Sequence, residues 1–268
     1  MSLQLKKFDM KRIKDDQVVV LIGKRNTGKS FMTRDLLYYH QDIPSGVVIC
    51  PTEGANKFYT FMVPPIFIHK EYTPKITNDF VKRQQQLTFR IQAGEKNIDR
   101  RAFLIMDDCL YDNDWKKDKR IREIFMNGRH WGIMFVLLMQ YAIGIPPNLR
   151  TNIDWVFILR DASYQNRKKL YECYASIFPT FDMFCQTMDQ CTDSYGCLII
   201  ENCSKSNKLE EQVFWYKADA HPDFRICCNE AWKFSELNYV EENSDDDEGY
   251  EMMYAKKNKP RMTVKKLY

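Results

Sequence analysis

Short apolar runs separated by longer polar-faced stretches set the rhythm of this chain. Gln17–Ile22 (QVVVLI) is a β-branched run that closes on Gly23, and it predicts a buried strand. A helix is expected from about Thr27 to His40, and a second strand over Val47–Cys50. Pro64 and Pro65 break the chain ahead of a short strand at Ile66–His69. Thr77–Gln92 lacks Gly and Pro and is rich in long side chains, which predicts a helix. Ala102–Met106 reads as a strand and Trp115–Met126 as a charged helix. Ile133–Met139 (IMFVLLM) reads as a fully buried strand, and Trp155–Leu159 as another. Helices follow around Ser163–Ile177 and Phe181–Gln190. Cys197–Glu201 and Gln212–Tyr216, joined by a polar turn, look like a hairpin. Apolar strands alternating with helices predict an α/β fold with a mostly parallel central sheet flanked by helices. One domain over residues 1–240 and a charged tail over 241–268 fit this pattern.

Composition narrows the class. The 268 residues are 44% hydrophobic and 28% charged, which excludes collagen-like, coiled-coil and wholly disordered chains. The longest apolar run, Ile133–Met139, is far short of the roughly 20 residues of a membrane helix, so no transmembrane segment is expected. The basic N-terminus has no apolar block behind it and does not read as a signal peptide. Nine cysteines with no Cys-x-x-Cys pair argue against a disulfide framework. Cys185, Cys191, Cys197 and Cys203 recur every six residues, a spacing that matches no zinc site. Free thiols, buried or half-buried, in a reducing intracellular compartment are expected.

Net charge is +4, but Glu241–Glu251 (EENSDDDEGYE) carries seven acids, so the rest of the chain stands at +11. Its basic residues gather at Lys6–Lys14, at Lys116–Arg129 and, after the acidic block, at Lys256–Lys266. Positive charge of this kind suits a polyanion partner. An acidic block followed by a basic one reads as a disordered tail.

The chemistry enters with Gly23-Lys24-Arg25-Asn26-Thr27-Gly28-Lys29-Ser30, which matches G-x-x-x-x-G-K-[ST] between a predicted strand and a predicted helix. The glycines let consecutive backbone N–H groups converge on one anion, and the helix N-terminus adds partial positive charge. Lys29 reaches the β- and γ-phosphates and the Ser30 hydroxyl joins a magnesium shell. With Phe31 on the first helical turn, these are the candidate nucleotide-binding residues. The second half of such a site is Phe103–Asp108 (FLIMDD): Asp107 would hold Mg2+ through water and Asp108 would polarise the attacking water. The chain has neither the Asp-x-x-Gly of small GTPases nor an Asn-Lys-x-Asp guanine reader, which favours ATP. Gln140 ends the Ile133–Met139 strand, where additional-strand ATPases place a polar residue beside the γ-phosphate. An arginine to stabilise transition-state charge is also required; Arg129, Arg150 and Arg160 are placed for it, with Arg129 and Arg150 put forward as catalytic.

Taken together, these residues resemble the genome-packaging ATPases of nucleocytoplasmic large DNA viruses, a branch of the FtsK–HerA superfamily. The resemblance covers roughly residues 15–220 and rests on Gly23–Ser30, Pro51–Tyr59 and Phe103–Asp108, and on Asn127–Ile133 running into the Gln140 strand. It implies a RecA-like P-loop NTPase core, a homo-oligomeric ring with a hexamer favoured, and ATP-driven translocation of double-stranded DNA into a capsid. It further implies a capsid or inner-membrane protein as docking partner, and action at the assembly site in the host cytoplasm or in the virion. One departure is Asp108, where the superfamily usually has Glu; the shorter arm must bring the water closer or use a second one. Glu53 is read as assisting the base, as structural or as a helix cap. Other readings of the same motifs are a helicase or partitioning ATPase, a nucleotide or small-molecule kinase, and a non-catalytic ATP-binding scaffold. A kinase lid is not evident, and a scaffold needs no base.

Overall fold

The computed structural model describes residues 3–109 and 114–239. In chain order the elements are β1 (Lys6–Lys7), β2 (Val18–Ile22), α1 (Lys29–Tyr38), β3 (Ser45–Ile49), α2 (Glu53–Asn56), β4 (Ile68–His69) and α3 (Pro74–Gln92). β5 (Ala102–Asp107), α4 (Lys119–Asn127), β6 (Ile133–Met139), α5 (Pro147–Arg150), β7 (Trp155–Ile158), α6 (Tyr164–Tyr174) and α7 (Phe181–Cys191) follow. β8 (Gly196–Glu201), α8 (Leu209–Gln212), β9 (Val213–Lys217) and α9 (Asn229–Asn238) complete the described chain. The strands form one nine-stranded sheet in the order β1-β9-β8-β7-β2-β6-β5-β3-β4. Only β8 runs against the others, pairing antiparallel with β7 and β9.

The continuous apolar runs are explained by burial on both faces. In β2, Val18, Val20 and Ile22 face one core, while Val19 and Leu21 face the other. The first core takes Phe80 and Val81 of α3, Ile121 and Ile124 of α4, and Leu170 and Phe184 of α6 and α7. The second takes Met32, Leu36 and Leu37 of α1 together with Tyr59, Phe224 and Ile226. Each large apolar side chain removed from water in this way contributes roughly 1.5–3 kcal/mol, which is why both faces of the central strands are apolar.

Two buried acids tie the sheet to its flanks. Asp154, just ahead of β7, accepts the Val18 N–H at 2.8 Å and pairs with Arg129 at 3.0 Å. Asp35 of α1 is fully buried, accepts the Tyr216 hydroxyl at 2.7 Å and meets His221. The His221 ring stacks on Tyr38 at 3.7 Å, so the segment after β9 is clasped onto α1. This clasp fixes the helix that leads out of the phosphate-binding motif.

The predicted elements lie within a few residues of the observed ones, with instructive differences. Pro65–Phe67 is a 3-10 turn, leaving only Ile68–His69 as strand. The expected helix over Trp115–Met126 divides, because Asp118 caps α4 by accepting the Arg120 N–H at 2.7 Å and so starts a new helix there. β1 and α9 have no counterpart in the sequence reading. All nine cysteines are free thiols, and Cys203 is exposed rather than half-buried. Among the described residues no helix is long and apolar enough to cross a membrane. The charged tail and its basic cluster lie outside the described residues.

β3 runs parallel beside β5, and Gly46 pairs with Phe103 at a point with no room for a side chain. A Cβ on Gly46 would lie 2.4 Å from the ring of buried Phe103. Gly46→Ala should therefore cost about 1–3 kcal/mol of stability and lower Tm by several degrees. Gly54→Ala, where the nearest atoms are 3.9 Å away on Lys70, should change Tm little. Equal Tm values for the two variants in a thermal melt would refute this packing.

Candidate active site

The phosphate-loop motif is built at the edge where β2, β6 and β7 end. Gly23 donates its N–H to Met139 O at 3.0 Å, and Leu159 donates to Ile22 O at 2.8 Å, so the loop springs from a strand held on both sides. A Cβ on Gly23 would sit 2.6 Å from Thr27 Oγ1 and 2.8 Å from Leu159 Cβ. Thr27 Oγ1 donates to Lys24 O at 2.7 Å and closes the curl. Gly28, with φ of 96°, turns the chain into α1 in the left-handed region that glycine adopts readily. The Lys29 ammonium reaches back across the loop to Gly23 O at 2.5 Å and Lys24 O at 3.3 Å. Burial lowers its pKa, against the opposing pull of Asp108 and Asp107. Lys24 itself points aside, pairing with Asp161 at 2.9 Å.

The acids arrive from β5. Asp107 ends the strand, buried, and accepts the Tyr59 hydroxyl at 2.9 Å. Burial, reinforced by the charge of Asp108, raises its pKa to about 6 despite that hydrogen bond. Asp108 is turned out of the strand with φ of 56°, a conformation uncommon for a residue with a side chain. Its two carboxylate oxygens accept from Gln140 Nε2 at 2.6 and 2.7 Å. β6 lies between β2 and β5, so the strand that carries Gln140 is the additional strand of the sequence reading.

A cleft of about 680 Å³ brings these groups together. Lys24, Arg25, Asn26, Gly28, Lys29, Ser30 and Phe31 line one wall, and Asp107, Asp108 and Gln140 another. Thr52, Asn56 and Tyr195 complete it. Gly23 and Thr27 shape the loop beneath. The oxygen donors Ser30 and Asp107 suit a hard cation such as Mg2+. Among the described residues no three His, Cys, Asp or Glu side chains gather into a metal cluster. A cation here would therefore complete its shell with water and phosphate oxygens, as Mg2+ commonly does.

The other candidate residues are placed as follows. Arg129 lies at the opposite edge of the sheet, paired with Asp154 at the start of β7, and Arg150 donates to Ile145 O at 2.9 Å with its guanidinium over Tyr174. Neither lines the cleft of its own chain. Arg160 follows β7 beside the loop and pairs with Asp193 at 3.4 Å. Glu53 is structural: its carboxylate accepts the N–H groups of Tyr59 and Thr60 at 2.8–3.0 Å and the Thr60 hydroxyl at 2.8 Å. It thereby sets the turn that aims Tyr59 at Asp107. Tyr59 and Tyr195 escaped the sequence reading as site residues, since no motif marks a hydroxyl that crosses from one loop to another strand.

A family model described as the poxvirus A32 protein matches residues 5–221. The chain belongs to the poxvirus A32 protein family. The uncharacterized protein L437 of Acanthamoeba polyphaga mimivirus is 40% identical over 221 residues, covering 81% of this chain and 78% of that protein. The uncharacterized protein 075L of invertebrate iridescent virus 6 is 37% identical over 230 residues, covering 84% and 87%. Among solved structures, the DNA-packaging ATPase B204 of Sulfolobus turreted icosahedral virus aligns with a TM-score of 0.53 at 17% identity, over 77% of this chain and 99% of that one. The conjugation coupling protein TcpA of pCW3 aligns with a TM-score of 0.53 at 15% identity, over 76% and 60%. The A32-family chain thus has the P-loop NTPase fold, with a mostly parallel sheet between helices.

The raised pKa of Asp107 sets a pH window for cation binding. A cation needs the carboxylate, so protons compete below about pH 6 rather than below the usual carboxylate range. Mn2+ affinity, followed by electron paramagnetic resonance without nucleotide, should fall about tenfold from pH 7 to pH 5. Tyr59→Phe removes a hydrogen bond that favours the charged form, so it should move the midpoint upward. A flat profile over this range would contradict the assignment of Asp107.

Proposed function

We propose that this chain is the ATPase of a viral DNA-packaging motor, hydrolysing ATP to drive double-stranded DNA into a capsid. The observation that carries the reading is the meeting of Lys29, Asp107, Asp108 and Gln140 in one cleft, in a chain of the A32 family. The name of B204 as a DNA-packaging ATPase supports it through the shared fold, as do the structures of the genome packaging NTPase B204 of Sulfolobus turreted icosahedral virus 2 with AMPPCP and ATP-gammaS.

The loop amides and the Lys29 ammonium bind and orient the β- and γ-phosphates. Ser30 and Asp107 would hold Mg2+, which supplies charge neutralisation across those phosphates. Asp108 accepts a proton from the water whose oxygen attacks the γ-phosphorus, and the bond to the β–γ bridging oxygen breaks to release ADP. Gln140 holds the Asp108 carboxylate at the strand end and, as that contact loosens, orients the water. Arg160 stands beside the phosphate loop, whereas Arg129 and Arg150 could serve only a neighbouring subunit's site. In this reading the subunits form a homo-oligomeric ring, a hexamer favoured, docked on a capsid or inner-membrane protein at the assembly site in the host cytoplasm or in the virion. Exposed Lys119 and Arg122 on α4 belong to the positive surface offered to DNA phosphates.

Steady-state ATP hydrolysis with and without long duplex DNA tests the proposal. Stimulation by DNA that fades as salt rises is expected. Lys29→Ala should reduce turnover to background, and Asp108→Asn should bind ATP yet turn over about 100-fold or more slowly. Wild-type turnover in Lys29→Ala would remove the phosphate-loop assignment. Loss of binding in Asp108→Asn would exchange the roles of the two aspartates.

A further inference from the structure

We infer that Tyr195 is the platform on which the purine ring of the bound nucleotide stacks. The inference rests on the phosphate-loop reading and extends it to the other end of the ligand. Two sides of the loop are distinguishable in the sheet. Asp107, Asp108 and Gln140 lie on the β5–β6 side, where the terminal phosphates meet the acids. The opposite side belongs to β7 and β8, so a nucleotide with its terminal phosphates facing the acids at Lys29 would have its base on that side. Tyr195 stands there. A Cβ placed on Gly28 would touch its Cβ and Cδ1 at 3.6 Å, so the phenol lies directly beside the second glycine of the loop.

The ring is 69% exposed, and its hydroxyl has no partner among the described residues. Most of this residue is thus uncovered at the mouth of a polar cleft. The backbone that presents it is specified. Ser194 and Tyr195 both have positive φ, 50° and 66°, although neither is glycine. The turn is pinched on either side: Thr192, buried, donates its hydroxyl to Met188 O at 2.7 Å, and a Cβ on Gly196 would fall 2.3 Å from Cys191 O. A rigid turn that holds an exposed aromatic ring against the phosphate loop matches what a stacking surface requires. The recognition is through the π-face, so it accepts adenine and guanine alike.

Binding of a non-hydrolysable ATP analogue, the matching GTP analogue and inorganic tripolyphosphate, measured by calorimetry, tests this. Tyr195→Ala should weaken both nucleotide analogues about tenfold and leave tripolyphosphate unchanged. Tyr195→Phe, which keeps the ring, should bind all three like wild type. Unaltered nucleotide binding in Tyr195→Ala, or equal losses for nucleotide and tripolyphosphate, would overturn the proposal. Lys29→Ala separates the two claims, because it should weaken tripolyphosphate and nucleotides together. If Lys29→Ala binds all three normally, the phosphate-loop reading fails whatever Tyr195 does.

Discussion

Ile22 of β2 pairs with Met139 of β6, and Leu138, one position earlier, pairs with Asp107 of β5. Three buried parallel strands therefore finish at one level of the sheet. Everything at the candidate site depends on that register. The next residue on each strand is Gly23, Gln140 or Asp108, so the loop, the amide and the acid emerge side by side. A slip of one position would reverse the faces of every side chain in β6 and bury Gln140. The apolar alternation that fills both cores is thus also what aligns the polar residues, and stability and site geometry share one cause.

Burying Asp107 at that edge works against stability, because an ionised carboxylate out of water needs compensation. The compensation is a relay rather than a direct ion pair. Glu53 binds the backbone of the Tyr59–Thr60 turn, and Tyr59 then donates to Asp107. Lys29 adds favourable charge from across the cleft. The result is an acid that still holds its proton near pH 6, partly charged and partly desolvated. A carboxylate in that state would gain from a bound cation, which favours its charged form.

Much of this was legible in the chain itself. The strands around the phosphate loop are continuous apolar runs, and the loop, both acids and Gln140 sit where those runs stop. The place of β6 between β2 and β5 is the arrangement that additional-strand ATPases have. The parts that escaped have tertiary causes. β1 is only Lys6–Lys7, too short and too polar for any pattern to mark, and exists because β9 offers it an edge. Tyr59 reaches Asp107 across 48 positions of sequence. Tyr195 reaches Gly28 through a turn between α7 and β8 that carries no recognised signature. The pairing of Arg129, which follows a Gly and precedes a His, is another such case. Its partner is Asp154, an acid that sequence alone does not pair with it.

The arginines show how burial decides which charge is available. Arg129 and Arg160 have similar exposure, 62% and 60% of their side chains, and each pairs with one aspartate. The aspartates differ. Asp154 is only 6% exposed and also holds the Val18 N–H, so withdrawing Arg129 would leave a buried carboxylate without its counter-charge. Asp193 is 72% exposed and its pair with Arg160 is long, so water replaces the guanidinium at little cost, about 0–1 kcal/mol. Within its own chain Arg129 neutralises a buried acid at the far edge of β7. Arg160, one strand away from the loop and weakly held, can leave Asp193 without disturbing the fold.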